Sequence, residues 1–210
     1  MRELTRGVAI GFVLLALAGA IASRTGLAAI DLPRPAGTGA WLLARATGYA
    51  AFAALALDVV AGLLVSTKNR RVTRGALVDL HQWLSPLALA LVLGHALVLL
   101  ADGYIRFDLL DVLVPFASRY RPAAVGLGVL AGYLAVVVHA SFALRKRLGT
   151  KRWRRLHYLS FVAFAAATLH AILAGTDAAR AWAIAICAVP VALVSALTGI
   201  RIWRGARLLL

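Results

Sequence analysis

The chain has 210 residues, of which 62% are hydrophobic, and its formal net charge at pH 7 is +15. A soluble domain of this length does not need so much apolar sequence, so the composition points to a membrane protein. The single cysteine, Cys187, excludes a disulfide framework and a CxxC redox centre.

Six apolar blocks are long enough, or nearly so, to cross a bilayer of roughly 30 Å as helices. The first block is short and follows a basic flank, as in a cleaved signal peptide, but a retained helix completes a set of six. We therefore predict an all-α membrane protein, a six-transmembrane-helix bundle that forms a single domain over residues 1–210. The predicted helices cover about 7–23, 40–65, 76–101, 122–144, 156–174 and 178–203.

Basic residues are distributed unevenly between the two sides of this predicted bundle. Sixteen of the 23 lysine and arginine residues fall at the two termini and in the loops 66–75 and 145–155. The positive-inside rule therefore places these loops and both termini in the cytoplasm. The charge is explained by topology and by attraction to anionic membrane lipid, so no nucleic-acid partner is expected.

Four of the five histidines form two matched pairs inside two apolar helices. His81 and His95 lie in the third block, and His157 and His170 in the fifth. Because both blocks run outward from the cytoplasm, the spacing predicts cross-helix pairs at two depths about 20 Å apart. These pairs are His81 with His157 and, further out, His95 with His170. Thirteen residues leave His170 off the face of His157, so this block needs a kink, local unwinding or a different approach angle.

A histidine inside a membrane is costly and therefore usually has a function. Neutral imidazole binds haem iron, and the cores of helix bundles hold such cofactors, so two pairs at two depths favour two haems. The alternative is that these side chains pack or hydrogen-bond between helices. A single metal ion cannot be shared by two levels so far apart, and compact zinc spacings such as HExxH are absent from the sequence.

Several segments carry a resemblance to a known family. They are the paired histidine spacings, the stretch RWRRLHYLSF at 152–161, the loop VLVPFASRYRP at 112–122, and Ala-Arg-Ala at 44–46. Together they resemble the ferric reductase-like transmembrane domain superfamily. It includes the membrane parts of NADPH oxidases and ferric reductases, and the haem-binding membrane subunit of the bacterial methionine sulfoxide reductase system. The resemblance is clearest over about residues 40–200.

The resemblance implies two haem b groups with histidine axial ligands to each iron. His81 and His157 would hold the inner haem, and His95 and His170 the outer one. The family also places an arginine, here Arg45, near the outer haem, where it faces a propionate or bound oxygen. The expected function is an electron relay from a cytoplasmic donor or quinol to an acceptor at the outer face. The expected location is the cytoplasmic (inner) membrane of a prokaryote, as a multi-pass protein.

Two features bear on the electron-transfer partners. NADPH oxidases carry a further histidine where this chain has Leu99, so deliberate superoxide production is not expected. The glycine-rich stretch 126–132 lies inside an apolar block without a preceding strand, and is typical of GxxxG helix packing rather than of dinucleotide binding. With no FAD or NAD(P) site expected in the chain, a separate flavin- or quinol-type donor is implied, together with a periplasmic acceptor protein. The sequence thus favours an electron-transfer subunit over a self-sufficient enzyme, and it predicts no catalytic residue.

Two other functions stay open as alternatives. A ferric or quinone reductase would have its own substrate site at the outer face, where Arg45, Arg119 and Arg121 can bind an anionic chelate. A haem-free channel or transporter would use Asp58 and His139.

Asp58 and His139 also have structural interpretations. His139 is expected to pack or to hydrogen-bond to a neighbouring helix. Asp58 either orients the free nitrogen of an inner ligand, pairs with Arg74 or stays protonated. The basic stretch 145–155 is expected to attract anionic lipid, to face the inner propionates or to dock an acidic donor.

Overall fold

A computed structural model describes residues 38–66 and 74–207 of the chain. Within these ranges there are helices and no strands, which confirms the predicted all-α class. The predicted first helix, about 7–23, lies outside the described residues. The described helices are α1 Gly39–Ser66, α2 Arg74–Leu100, α3 Leu109–Leu113, α4 Pro122–Ala143, α5 Arg145–Leu148, α6 Thr150–His157, α7 Leu159–Ala174 and α8 Ala181–Arg207.

Five helical stretches of the described chain are long and apolar enough to cross a membrane, as expected of a multi-pass membrane protein. Most of the predicted boundaries lie within about three residues of the observed ones. The fourth stretch is the exception, because it begins at Thr150 instead of about 156 and so includes part of the basic segment that was predicted as a loop. The five stretches are Gly39–Ser66, Gly75–Leu100, Pro122–Ala143, Thr150–Ala174 and Ala181–Trp203.

The bundle is built from two closely packed antiparallel helix pairs. α1 packs along α2, and α4 packs along α7, while α8 packs against α1. Phe52 of α1 and Phe164 of α7 stack with ring centroids 5.8 Å apart, in a core that also contains Cys187 of α8. α2 and α7 are both fully described, yet no Cα atom of one lies within 8 Å of a Cα atom of the other. A gap between these two helices therefore runs through the bundle.

The helix that carries His157 and His170 is interrupted between them. α6 ends at His157 and α7 begins at Leu159, and the N–H of Phe161 donates to the carbonyl of Tyr158 at 3.1 Å. A hydrogen bond to the third residue back is tighter than the α-helical one. The predicted irregularity in this block is therefore confirmed, and it takes the form of a local tightening instead of an unwinding.

The connection between α2 and α4 is organised around Asp102, whose side chain is fully buried. Its carboxylate accepts hydrogen bonds from the backbone N–H of Tyr104 at 3.2 Å and of Ile105 at 2.8 Å. Trp41 of α1 packs against Tyr120 of the same connection. The carboxylate thus holds the turn that closes the His95 end of the bundle.

Replacing Asp102 with alanine is expected to destabilise the fold, because the two N–H groups would lose their buried acceptor. The cost of leaving a buried polar group without a partner is about 1–3 kcal/mol. The thermal unfolding midpoint of the detergent-solubilised protein should fall in Asp102→Ala. The control is Asp79→Ala, since Asp79 is exposed. Equal midpoints for the two variants would contradict this role.

Candidate functional site

The four paired histidines meet across the gap between α2 and the stretch formed by α6 and α7. The rings of His81 and His157 have centroids 5.9 Å apart, and those of His95 and His170 have centroids 6.3 Å apart. The two pairs are the cross-helix pairs that the sequence predicts. Since the first histidine of α2 meets the first of the α6–α7 stretch, and the second meets the second, these helices run parallel. Two imidazoles on opposite sides of one metal ion, at a metal–nitrogen distance of about 2 Å, have centroids roughly 6 Å apart. Both pairs therefore have the spacing of axial ligands.

At the level of His95 and His170, both rings are held by main-chain carbonyls of the helices behind them. His95 Nδ1 lies 2.7 Å from the carbonyl oxygen of Ala44, and His170 Nδ1 lies 2.8 Å from that of Ala124. A carbonyl oxygen only accepts, so each Nδ1 must carry the proton and donate. This fixes the tautomer that leaves the lone pair on Nε2, which is the form that binds a metal.

His81 is held in the same way by Asp58 of α1, with one addition. Its Nδ1 lies 3.1 Å from the carbonyl oxygen of Asp58 and 2.7 Å from the carboxylate oxygen Oδ1. Of the contacts considered for Asp58, the structure contains the one between its carboxylate and a paired histidine. The alternative pairing with Arg74 involves a side chain outside the described part of the structure.

His157 is surrounded differently. Its ring lies 5.2 Å from that of Trp153, centroid to centroid, and Trp153 in turn lies 6.4 Å from Phe142. Among the described residues, the ring of His157 has aromatic contacts and no hydrogen bond to a helix carbonyl. Aromatic packing thus holds the fourth histidine where hydrogen bonds hold the other three.

A glycine lies beneath each hydrogen-bonded histidine, one helical turn after the residue that accepts the hydrogen bond. A Cβ atom on Gly48 would lie 3.0 Å from His95, one on Gly62 would lie 3.3 Å from His81, and one on Gly128 would lie 2.6 Å from His170. Residues four apart share a helix face, so the acceptor and the glycine contact the same ring. This repeated pattern was missed in the sequence analysis, although its spacing is visible there. Its three instances are Ala44/Gly48, Asp58/Gly62 and Ala124/Gly128.

The two pairs line one continuous cavity of about 1550 Å³. A site for one small molecule usually measures roughly 300–1,000 Å³, so this cavity exceeds that range. One acceptor of its lining, Oδ1 of Asp58, contacts His81 but has no hydrogen-bond partner among the described residues. Three buried donor atoms of the lining also have no hydrogen-bond partner among the described residues. They are Arg45 Nε, Tyr49 Oη and Trp153 Nε1. Each can donate a hydrogen bond, so the cavity offers donors to an occupant with acceptor groups.

Arg45 lines this cavity and forms an ion pair with Asp177. Asp177 is buried and also lies 3.3 Å from Nε of Arg180. The sequence analysis did not select Asp177 as a site residue. The pairing joins positions far apart in the chain, and no local pattern in the sequence signals it.

The fifth histidine, His139, lies 3.0 Å through Nδ1 from the hydroxyl of Ser85 on α2. The expected hydrogen bond to a neighbouring helix is therefore confirmed.

Two other arginines were considered for a substrate site at the outer face. Arg121 donates a hydrogen bond to the carbonyl of Leu173 at 2.7 Å, and its guanidinium lies over the Tyr120 ring. Arg119 is exposed.

The metal-ligating side chains of the cavity limit the kind of metal group that it can bind. Within the described ranges, no three His, Cys, Asp or Glu side chains gather into a group that could hold a metal ion. A histidine pair suits an iron whose remaining ligands come from a porphyrin. The ring spacing, the glycine surfaces and the unpartnered donors all fit such a group.

A family model described as "Ferric reductase like transmembrane component" matches residues 47–168. The matched range includes His81, His95 and His157, while Arg45 and His170 each lie two residues beyond it. No curated protein and no solved structure matches the chain.

Gly128 and Gly132 of α4 allow a test of the contact beneath His170. A Cβ at Gly128 would collide with that ring, whereas one at Gly132 would lie 3.6 Å from Val92, at an ordinary contact distance. Gly128→Ala should therefore lower the free energy of unfolding by about 1–3 kcal/mol through overpacking. Gly132→Ala should not, and the thermal unfolding midpoints in detergent compare the two. A Gly128→Ala protein as stable as Gly132→Ala would contradict the close approach of the His170 ring to α4.

Proposed function

Because the chain belongs to the ferric reductase-like transmembrane family, whose role is electron transfer across a membrane, we propose that it is a relay with two haem b groups. In this proposal His81 and His157 are the axial ligands of the inner haem, and His95 and His170 those of the outer haem. Electrons pass from a cytoplasmic donor or quinol to an acceptor at the outer face.

The observation that carries the proposal is the pair of histidine couples at two levels of one cavity. A single buried histidine pair is readily explained by packing or hydrogen bonding between helices. Here, however, the rings of each pair face one another across a gap that the two helix backbones do not close. Three of the four rings already use Nδ1 in a hydrogen bond to the helix behind them, which leaves Nε2 for a ligand in the gap.

The remaining cavity lining supports the same occupants. Haem carries anionic propionates, and the unpartnered donors at Arg45, Tyr49 and Trp153 are suited to acceptors of that kind. Arg45 lies next to Ala44, whose carbonyl holds His95, so its guanidinium belongs to the proposed outer level. The Asp177 carboxylate balances the charge of Arg45 when it is buried there.

When bound, haem iron supplies one-electron redox chemistry, and the protein sets its position and surroundings. The histidines fix where the electron can reside, and the helices behind them fix the ring orientations. The apolar wall of the cavity excludes water, and Asp58 and the carbonyls hold the protons on Nδ1. No residue of the chain needs to act as an acid or a base.

The orientation and the partners belong to the same proposal. Six spans with both termini in the cytoplasm of a prokaryotic inner membrane put the His81 end of the bundle inside. The basic helices α5 and α6 then face the cytoplasm, where they suit an acidic surface on a flavin-containing donor or a quinol-linked one. The His95 end faces a periplasmic acceptor protein.

A substrate site of its own at the outer face is less well supported. Of the three arginines considered for it, Arg45 is paired with Asp177, and Arg121 is bonded to the carbonyl of Leu173. The channel alternative is also less well supported, because the two residues considered for it are engaged in other contacts. Asp58 contacts His81, and His139 contacts Ser85. An electron relay is consistent with these contacts, because they hold the paired histidines in place.

The proposal is tested by a reduced-minus-oxidised absorption spectrum of the purified protein, with haem counted per chain. We expect a b-type spectrum and about two haems in the wild type. The double variant His95→Ala/His170→Ala should retain about one, because the inner pair is intact.

His139→Ala is the matched control, since His139 lines the same cavity without belonging to a pair. It should keep both haems. A colourless wild-type protein, produced with an adequate supply of haem, would refute the proposal, and a double variant that still holds two haems would refute the ligand assignment.

A further inference from the structure

The two histidine levels differ in the charge of the groups that hold them. At the level of His95 and His170, both acceptors are neutral backbone carbonyls. At the level of His81, the acceptor is the backbone carbonyl of Asp58, and the carboxylate of the same residue, whose side chain is 13% exposed, lies 2.7 Å from Nδ1. A buried negative charge thus lies directly behind one of the four proposed ligands.

We propose that Asp58 makes the two sites unequal in reduction potential, and that it holds the inner site below the outer one. This inference rests on the proposed function, because it assumes a haem at each level. Asp58 is a positioning residue that acts through His81. Its effect is to make electron transfer from the inner level to the outer level downhill.

The direction follows from the charge of the Asp58 carboxylate, whose Oδ1 lies 2.7 Å from Nδ1 of His81. The Nδ1 proton is hydrogen-bonded to the backbone carbonyl of the same residue. A carboxylate so close to this proton polarises the N–H bond, so Nε2 becomes a better electron donor to the metal. A more basic ligand stabilises the ferric state over the ferrous state, which lowers the potential. The negative charge of the carboxylate acts in the same direction through space, since the ferric site carries one more positive charge.

Positive charges at the same end of the bundle oppose this effect. Arg145, Arg154 and Arg201 line the cavity there, and a nearby cation favours the reduced state. Arg145 and Arg154 are exposed, however, so water and salt screen their fields. The Asp58 carboxylate is mostly buried and lies 2.7 Å from the ligand ring, so its contribution is the larger one.

The outer level lacks an equivalent negative charge at its ligands. Asp177 is buried near that end, but it is paired with Arg45, and the pair has little net charge. The difference in negative charge at the ligand rings therefore traces to the Asp58 carboxylate, and a single substitution can remove it.

The test is a spectroscopic redox titration of the purified full-length protein, in which the two midpoint potentials are resolved. Asp58→Asn keeps the size of the side chain and an acceptor oxygen but removes the charge. We expect the lower of the two potentials to rise, while the upper one stays where it is. Asp79→Asn is the matched control, because it removes an exposed charge two residues from His81 and should move neither potential.

The assignment of the lower potential to the inner level is tested in a second background. His95→Ala should leave the inner haem as the remaining one, with a midpoint close to the lower value of the wild type. Adding Asp58→Asn to that variant should raise this midpoint. A remaining haem with the higher potential would overturn the inference.

Asp58→Glu separates charge from packing. It keeps a carboxylate, so we expect it to hold two haems and to retain the low potential, even if Asp58→Asn binds haem poorly. Loss of haem in both variants, with normal loading of Asp79→Asn, would show a packing role and overturn the tuning. Two bound haems with potentials that Asp58→Asn does not move would overturn this inference alone. A wild-type protein without haem would instead overturn the proposed function.

Discussion

An imidazole inside an apolar helix bundle loses its hydration, so its polar nitrogens need partners. In this protein that requirement is met by the backbones of α1 and α4. A helix carbonyl has a second lone pair free, and His95 and His170 bond to the carbonyls of Ala44 and Ala124. Such a bond needs the ring to lie almost against the neighbouring helix, and glycines provide that space. The close packing of α1 on α2, and of α4 on α7, follows from this contact.

The same contacts explain why the centre of the bundle is open. The histidine rings extend into the gap from α2 on one side and from the α6–α7 stretch on the other, and three of them are anchored through Nδ1 to the flanking helix. The two helix pairs can therefore be well packed within themselves and still leave α2 and α7 apart. The result is a cavity whose two polar levels are set by the histidines and whose walls are apolar. A planar group with a metal at its centre suits both the spacing and the chemistry of these levels.

The two levels are not equivalent, and the differences lie in α1, α4 and α6. Asp58 adds a carboxylate behind His81, whereas Ala44 at the corresponding place of the other level adds nothing beyond its carbonyl. On the opposite side, Trp153 packs against His157 where a carbonyl and a glycine hold His170. A fold that repeats one ligand arrangement along its length can in this way give each level its own electronic environment.

The sequence alone determined the helical class, five of the spans and the pairing of the histidines, because these depend on segment length, hydropathy and spacing along one helix. It also required an irregularity between His157 and His170, which the structure places at Tyr158. The tertiary structure decided what depends on how one helix is rotated against another. It placed Asp58 behind His81 and paired Arg45 with Asp177. It also showed why glycines occur at these helix positions. A side chain there would crowd a histidine ring of the neighbouring helix, and that contact is known only once the helices are packed.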